Sequence, residues 1–257
     1  MGMQLRDCAK SGLRSVSKAE MKKQMLKVAS YNIRKALGTD RRRKPERIIE
    51  VLNEIDADVI ALQEADRRFG IRHAILPERM LEAHSDYTAI PLSIRTESMG
   101  WHGNALLVRR GTELVERDII HLPCIEPRGA VTALVRYKGH DIRLIGMHLD
   151  LSGLWRRRQA AAILHHLSLE STMPADAVLA MGDLNEWSQG GCLRDFERAF
   201  TLAPCGRSYH AGRPLAALDR IMWQGKLTIA ECGVHASTVS RRASDHLPIW
   251  ASFDFSD

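Results

Sequence analysis

The stretch AVLAMGDLNEW, residues 177–187, decides how this chain is read. Its first residues are almost wholly apolar and the run stops at Asp183, the pattern of a buried strand that ends abruptly in a carboxylate. Asp183 and Asn185 stand two residues apart, so in an extended chain both side chains point to the same side. An acceptor and an amide then face one point: Asp183 can orient or deprotonate an attacking water, and Asn185 can hold that water or a phosphoryl oxygen. Taken alone, the same Gly-Asp-Leu-Asn run is also an ordinary turn, because these residue types serve turns well.

Seven further runs share the character of the first: LKVASYNI (26–33), ADVIALQE (57–64), NALLVRR (104–110), AVTALVRY (130–137), DIRLIGMHL (141–149), LDRIMW (218–223) and LPIWASF (247–253). All read as buried strands. Two segments carry helical spacing instead. One is PERIIEVLNEI (45–55), with Pro45 at the first helical position and apolar Ile48, Ile49, Leu52 and Ile55; the other runs from Leu154 to Leu169. Strands and helices alternate at first and paired strands follow, so the expected class is α/β, with sheets covered by helices. No repeat, low-complexity block or linker divides the chain, so one domain is expected over residues 26–257, preceded by a mobile polar extension, 1–25, in which Met21 and Met25 are alternative starts. Residues 66–103 read as loops over the site with one short helix around Pro77 to Ala83.

Composition narrows the class. At 257 residues, with 45% hydrophobic and 26% charged residues, the chain is neither fibrous nor disordered. A formal charge of +6 favours anionic partners such as nucleic acid, phospholipid or nucleotide, although a solvated surface carries such a charge equally well. The five cysteines are far apart and form no C-x-x-C pair, so they read as thiols of a reducing compartment. Neither a membrane-length apolar run nor a signal-type apolar segment occurs, and a cytoplasmic location is expected.

The polar residues of interest lie at or just past strand ends. Asn32 closes SYN, Glu64 closes LQE, His148 sits in MHLD, Asp219 in LDRI, and Asp245 and His246 precede the last run in SDHLP. Strand ends converging on one sheet edge would gather acceptors suited to a hard cation. His246 is suited to stabilising phosphoryl oxygens if a carboxylate holds its other nitrogen, and Asp219 is the candidate for that. Each residue also has a plainer reading: Asn32 as a cap, Glu64 as surface, His246 as a structural histidine, Asp150 as a turn residue beside His148.

In this order SYN, LQE, GNALLV, HLDL, GDLNEW, LDRI and SDHLP resemble the endonuclease/exonuclease/phosphatase superfamily, the group of DNase I and exonuclease III, over about residues 26–254. The resemblance implies a four-layer sandwich, two packed mixed sheets flanked by helices, and a metal-dependent phosphoesterase. Its substrate is expected to be a phosphodiester of nucleic-acid or phospholipid type, or a phosphomonoester. It implies that Glu64 and Asp245 serve Mg²⁺, with Mn²⁺ as the alternative ion. Asp183 would activate water for in-line attack, Asn32 and Asn185 would position phosphate and water, and His246, backed by Asp219, would stabilise the transition state. His148 matches the histidine of the DNase I and sphingomyelinase branches. Arg128 in EPRGA, with Arg156, Arg157 and Arg158, resembles a small bacterial branch, and Arg128 is expected among the phosphate-binding residues. Arg34 stands where apurinic endonucleases carry an acidic metal ligand, which argues against a second metal. The competing expectation is a catalytically silent member of the fold that binds an anionic partner.

Overall fold

The apolar runs become two six-stranded sheets. A computed structural model describes residues 25–67, 73–92, 97–169 and 175–256, so the expected extension, 1–25, lies almost wholly outside the described residues. Along the chain come β1 (Leu26–Asn32), α1 (Pro45–Ile55), β2 (Val59–Gln63), α2 (Glu78–His84), β3 (Tyr87–Ala89), β4 (Ala105–Arg109), β5 (Glu113–Ile120), β6 (Gly129–Tyr137), β7 (His140–His148) and α3 (Gly153–Leu169). Then follow β8 (Ala177–Asp183), α4 (Cys192–Phe196), β9 (Thr201–Leu202), β10 (Asp219–Gly225), β11 (Leu227–Val234), α5 (Ser240–Ala243) and β12 (Ile249–Phe255). One sheet has the order β11-β12-β1-β2-β4-β3, the other β5-β6-β7-β8-β10-β9.

Both sheets are mixed. β1 pairs in parallel with β2 and antiparallel with β12, while β7 pairs in parallel with β8 and antiparallel with β6. Period-two alternation divides each strand between two cores. Val28, Ala61, Leu144, Leu179, Met181, Ile221 and Ile249 point into the space between the sheets. Ala29, Tyr31, Ile60 and Leu62 face the other way, against Ile48 and Leu52 of α1. On the far side, Ile145, Met147 and Ala180 meet Ala160 and Ile163 of α3. Three apolar layers therefore bind four layers of structure, helix, sheet, sheet, helix, as expected.

All eight apolar runs are strands, and α1 begins at Pro45, whose fixed φ suits a first helical turn. Four strands lack a signal strong enough to read: β3, β5, β9 and β11. These are the four edge strands of the two sheets. An edge strand has a neighbour on one side and tolerates charge, as in ELVERDII of β5, so its apolar content is diluted. The expectation of loops across 66–103 is corrected to that extent, since β3 pairs there with β4, while the short helix is present as α2.

Candidate active site

The site begins where the inter-sheet core runs out. In β8 the inward positions are Ala177, Leu179, Met181 and then Asp183; in β7, Ile142, Leu144 and then, past Gly146, His148; in β1, Val28, Ser30 and then Asn32. The same parity that buries the apolar residues thus carries one polar residue to the end of each inward face. Register aligns them, because His148 pairs with Asp183 and Asp183 with Asp219, with Gly129 opposite His148. Asn32, His148, Asp183, Asp219 and His246 are all buried.

Asp183 Oδ2 is the centre of this group. Asn32 Nδ2, from the opposite sheet, donates to it over 2.9 Å. His148 Nε2 lies 3.4 Å away and His246 Nε2 3.7 Å away. His246 Nδ1 bonds Asp219 Oδ2 at 2.9 Å, and Ser208 Oγ donates to the same oxygen. The Tyr209 ring packs 4.9 Å from the His246 ring, centroid to centroid.

The two histidines are driven apart in charge. Burial opposes a proton on His246, but Asp219, through its charge and hydrogen bond, together with Asp183 and Asp245, outweighs it and raises the pKa to about 9. His148 goes the other way. Burial, joined by the nearby Arg128 and against the pull of Asp183, lowers its pKa to about 3. Arg128 Nη1 approaches both His148 ring nitrogens, at 2.9 and 2.6 Å, and donates to whichever of the two carries no hydrogen in the neutral imidazole. At neutral pH one histidine is a cation and the other is not.

The loops supply the remaining groups under backbone strain. Glu64 (φ 54°) leaves β2 in the left-handed region, with Gly103 (φ 81°) packed 3.3 Å from its Cα, measured from where a Cβ would sit. Arg34, Lys35 and Ala36 are left-handed in succession, at φ 46, 54 and 56°. This turn brings Arg34 Nε to 3.1 Å from Asp245 Oδ2 and Lys35 Nζ onto Glu64 Oε2. Asn32, Glu64, Arg128, His148, Asp183, Asn185, Asp245 and His246 line one open cleft, and Asp219 lies behind His246.

One expectation needs correction. The chain is not extended between Asp183 and Asn185: β8 ends at Asp183 and Asn185 is left-handed, at φ 49°. The turn is what the structure shows: Asn185 N donates to Asp183 Oδ1 while its side-chain amide donates to Leu149 O on the neighbouring loop. Ser208 and Tyr209 join the site without having been singled out in the sequence. Both lie in the irregular segment before β10, which carries no periodic signal.

The set suits a hard divalent cation. Glu64, Asp245 and Asp183 bring carboxylate oxygens to one cleft, and two of these three already draw a cationic side chain onto themselves. Asp183, Asp219 and His246 also offer ligand atoms within 4.8 Å of one another. There, however, Asp219 and His246 are bonded to each other, the arrangement of a carboxylate-held imidazole and not of two ligands sharing an ion.

Solved structures share this architecture. An endonuclease/exonuclease/phosphatase family protein from Bacteroides thetaiotaomicron superposes with a TM-score of 0.72 at 19% identity, covering 91% of this chain and 98% of that one. A mannosyl-6-phosphatase from the same species gives 0.72 at 18%, covering 90% and 100%. The human Nocturnin catalytic domain with bound sulfate gives 0.70 at 21%, covering 91% and 95%. At these identities the likeness shows the fold. No match was found among curated proteins. The model of the Endonuclease/Exonuclease/phosphatase family matches residues 29–246, and to that family the chain belongs.

Proposed function

We propose that the protein is a Mg²⁺-dependent phosphoesterase, acting through one domain over residues 26–257 in the cytoplasm. The observation that carries this reading is the convergence on Asp183 Oδ2 of Asn32, neutral His148 and cationic His246. A carboxylate so surrounded is oriented, as water activation requires. Asp183 takes the proton of a water whose oxygen attacks phosphorus in line; the ester P–O bond opposite breaks with its electron pair on the leaving oxygen, which takes a proton from solvent. Charge growing on the phosphoryl oxygens meets the His246 imidazolium and the Arg128 guanidinium, both fixed before the reaction begins. Asp219 keeps His246 charged and aligned. Asn185, through its bonds to Asp183 and Leu149, fixes the β8 turn against the β7 loop.

Glu64 and Asp245 would hold Mg²⁺ or Mn²⁺, which when bound offsets the negative charge of the phosphate. The uncatalysed reaction is so slow that these effects together must lower the barrier by well over ~10 kcal/mol. No helix among the described residues is long and apolar enough to cross a membrane, and Cys124, Cys192, Cys205 and Cys232 are free thiols.

The test is hydrolysis of bis-p-nitrophenyl phosphate, plasmid DNA, phospholipids and nucleotides, with and without Mg²⁺, by the wild type, Asp183→Ala and His246→Ala. Metal-dependent turnover lost in both variants is the expected result. Absence of turnover on every substrate, with tight binding of one of them, would replace this reading with a binding module for an anionic partner.

A further inference from the structure

The mouth of the cleft differs in character from its interior. Among the described residues the large apolar side chains left exposed are Ile125, Leu151, Leu154, Leu169, Trp187 and Leu215, each 61–73% accessible. Leu169 ends α3, away from the site. The other five sit at one end of the second sheet's strands: Ile125 in the loop before β6, Leu151 in the loop after β7, Leu154 in the first turn of α3, Trp187 in the loop after β8, and Leu215 in the loop before β10. That end carries the row Gly129, His148, Asp183 and Asp219, so the topology of the sheet places these five residues in the segments that leave the active-centre end of its strands.

Leu151 and Trp187 line the cleft, and Trp187 stands edge-on to Tyr209 at 5.9 Å. Leu215 N bonds Tyr209 O, which ties the Leu215 turn to the same wall. Exposed apolar residues scattered singly need no explanation, but five of the six fall at one end of the second sheet. Within the rim the cleft is lined by four cationic side chains, Arg34, Lys35, Arg43 and Arg128, beside the three carboxylates Glu64, Asp183 and Asp245, two of which pair with Arg34 and Lys35. Cations inside an apolar collar complement an amphiphile with a phosphate head and hydrocarbon tails.

We propose that this rim docks on an anionic phospholipid surface and that the phosphoester drawn into the cleft is a lipid headgroup. The inference rests on the phosphoesterase reading and names its substrate class. A single-stranded nucleic acid would be met by aromatic platforms on which bases stack. Of the five rim residues only Trp187 is aromatic. Ile125, Leu151, Leu154 and Leu215 offer branched aliphatic surface, which suits the acyl boundary of a bilayer and gives a base nothing to stack on.

The experiment measures co-sedimentation of the full chain with phosphatidylglycerol/phosphatidylcholine vesicles and with phosphatidylcholine alone, beside binding of a single-stranded oligonucleotide. The wild type is compared with the triple variant Ile125→Ser/Leu154→Ser/Leu215→Ser, and both are assayed on soluble bis-p-nitrophenyl phosphate. We expect binding to the anionic vesicles, weakened about tenfold or more in the triple variant, with equal turnover of the soluble ester. Wild-type protein that ignores the vesicles, a triple variant that binds them equally well, or binding to the oligonucleotide in preference to vesicles would each overturn the inference. Rim-dependent vesicle binding without turnover of the soluble ester would instead overturn the catalytic reading and leave the docking surface in place.

Discussion

Asn32 and Asp183 are 151 residues apart and belong to different sheets, yet the amide of one donates to the carboxylate of the other over 2.9 Å. The site is therefore a seam: the first sheet contributes Asn32 and the approach to Glu64, the second His148, Asp183 and Asp219. Any disturbance of sheet-on-sheet packing reaches the chemistry through this bond.

Asn32→Ala removes the donor that fixes Asp183. Turnover of bis-p-nitrophenyl phosphate is expected to fall about 100-fold, the scale of losing one preorganised hydrogen bond at a reacting group. The loss should appear in kcat with KM little changed, and steady-state kinetics will separate the two. An unchanged kcat would mean that Asp183 is held without Asn32.

The raised pKa of His246 fixes the alkaline limit of activity. A proton bound more tightly in the folded protein than in the unfolded chain stabilises the fold fully below about pH 6.5, and that contribution is lost as pH rises through about 9. Activity that needs the imidazolium should decline over the same upper range. In Asp219→Asn the falling limb of the pH–rate profile is expected to move to lower pH, with kcat at neutral pH reduced. A limb that stays in place would assign it to another group.

His148 has the opposite sign. Its folded pKa of about 3 lies below the ordinary value of 6.5, so the unfolded chain binds the extra proton first and stability drops as pH falls from about 6.5 toward 3. By pH 5 the cost is about 2 kcal/mol, at 1.36 kcal/mol per pH unit below 6.5. His148→Gln should lose less stability between pH 7 and pH 5 than the wild type, read from urea midpoints at the two values.

Removal of divalent metal with EDTA should abolish turnover, and added Mg²⁺ should restore it. Glu64→Gln is expected to raise the Mg²⁺ concentration needed for half-maximal rate by about tenfold or more, because a neutral amide binds a hard cation poorly. A Glu64→Gln enzyme with the wild-type Mg²⁺ dependence would remove Glu64 from the metal site.

Arg156 and Glu186 form a buried pair, with Nε and Nη2 of the arginine each 3.2 Å from Oε2 of the glutamate. Arg156 Nη1 also donates to Leu151 O, and Glu186 Oε1 accepts from Ser188, so the pair clasps the loop after β7 to the loop after β8. Glu186→Ala is expected to destabilise the protein by about 3–5 kcal/mol by stranding a buried guanidinium, whereas Arg156→Met/Glu186→Met should cost markedly less. Urea unfolding of the two variants tests the difference.

Much of this protein is legible along the chain. The runs that end in Asn32, His148 and Asp183 announce central strands, because a strand buried on both faces must be apolar nearly throughout. Pro45 and the spacing of Ile48, Ile49, Leu52 and Ile55 announce α1 for a similar reason: one helical face is buried and its period shows. The edge strands β3, β5, β9 and β11 escape, since a strand paired on one side and half exposed leaves no such run.

The candidate site divides in the same way. Asp183, His246, Glu64 and Asn32 could be named from their positions at strand ends and from the order of their motifs, which local pattern records. That Asn32 would reach Asp183, that His246 would be charged while His148 is neutral, that Asn185 would turn back on Asp183, and that Lys35, Ser208 and Tyr209 would join them depend on cross-sheet register, burial and loop conformation. Hydrophobic periodicity is a local property and survives in one dimension. Hydrogen-bond distances, desolvation and the summed field of neighbouring charges arise between segments far apart in sequence, so only the folded chain decides them.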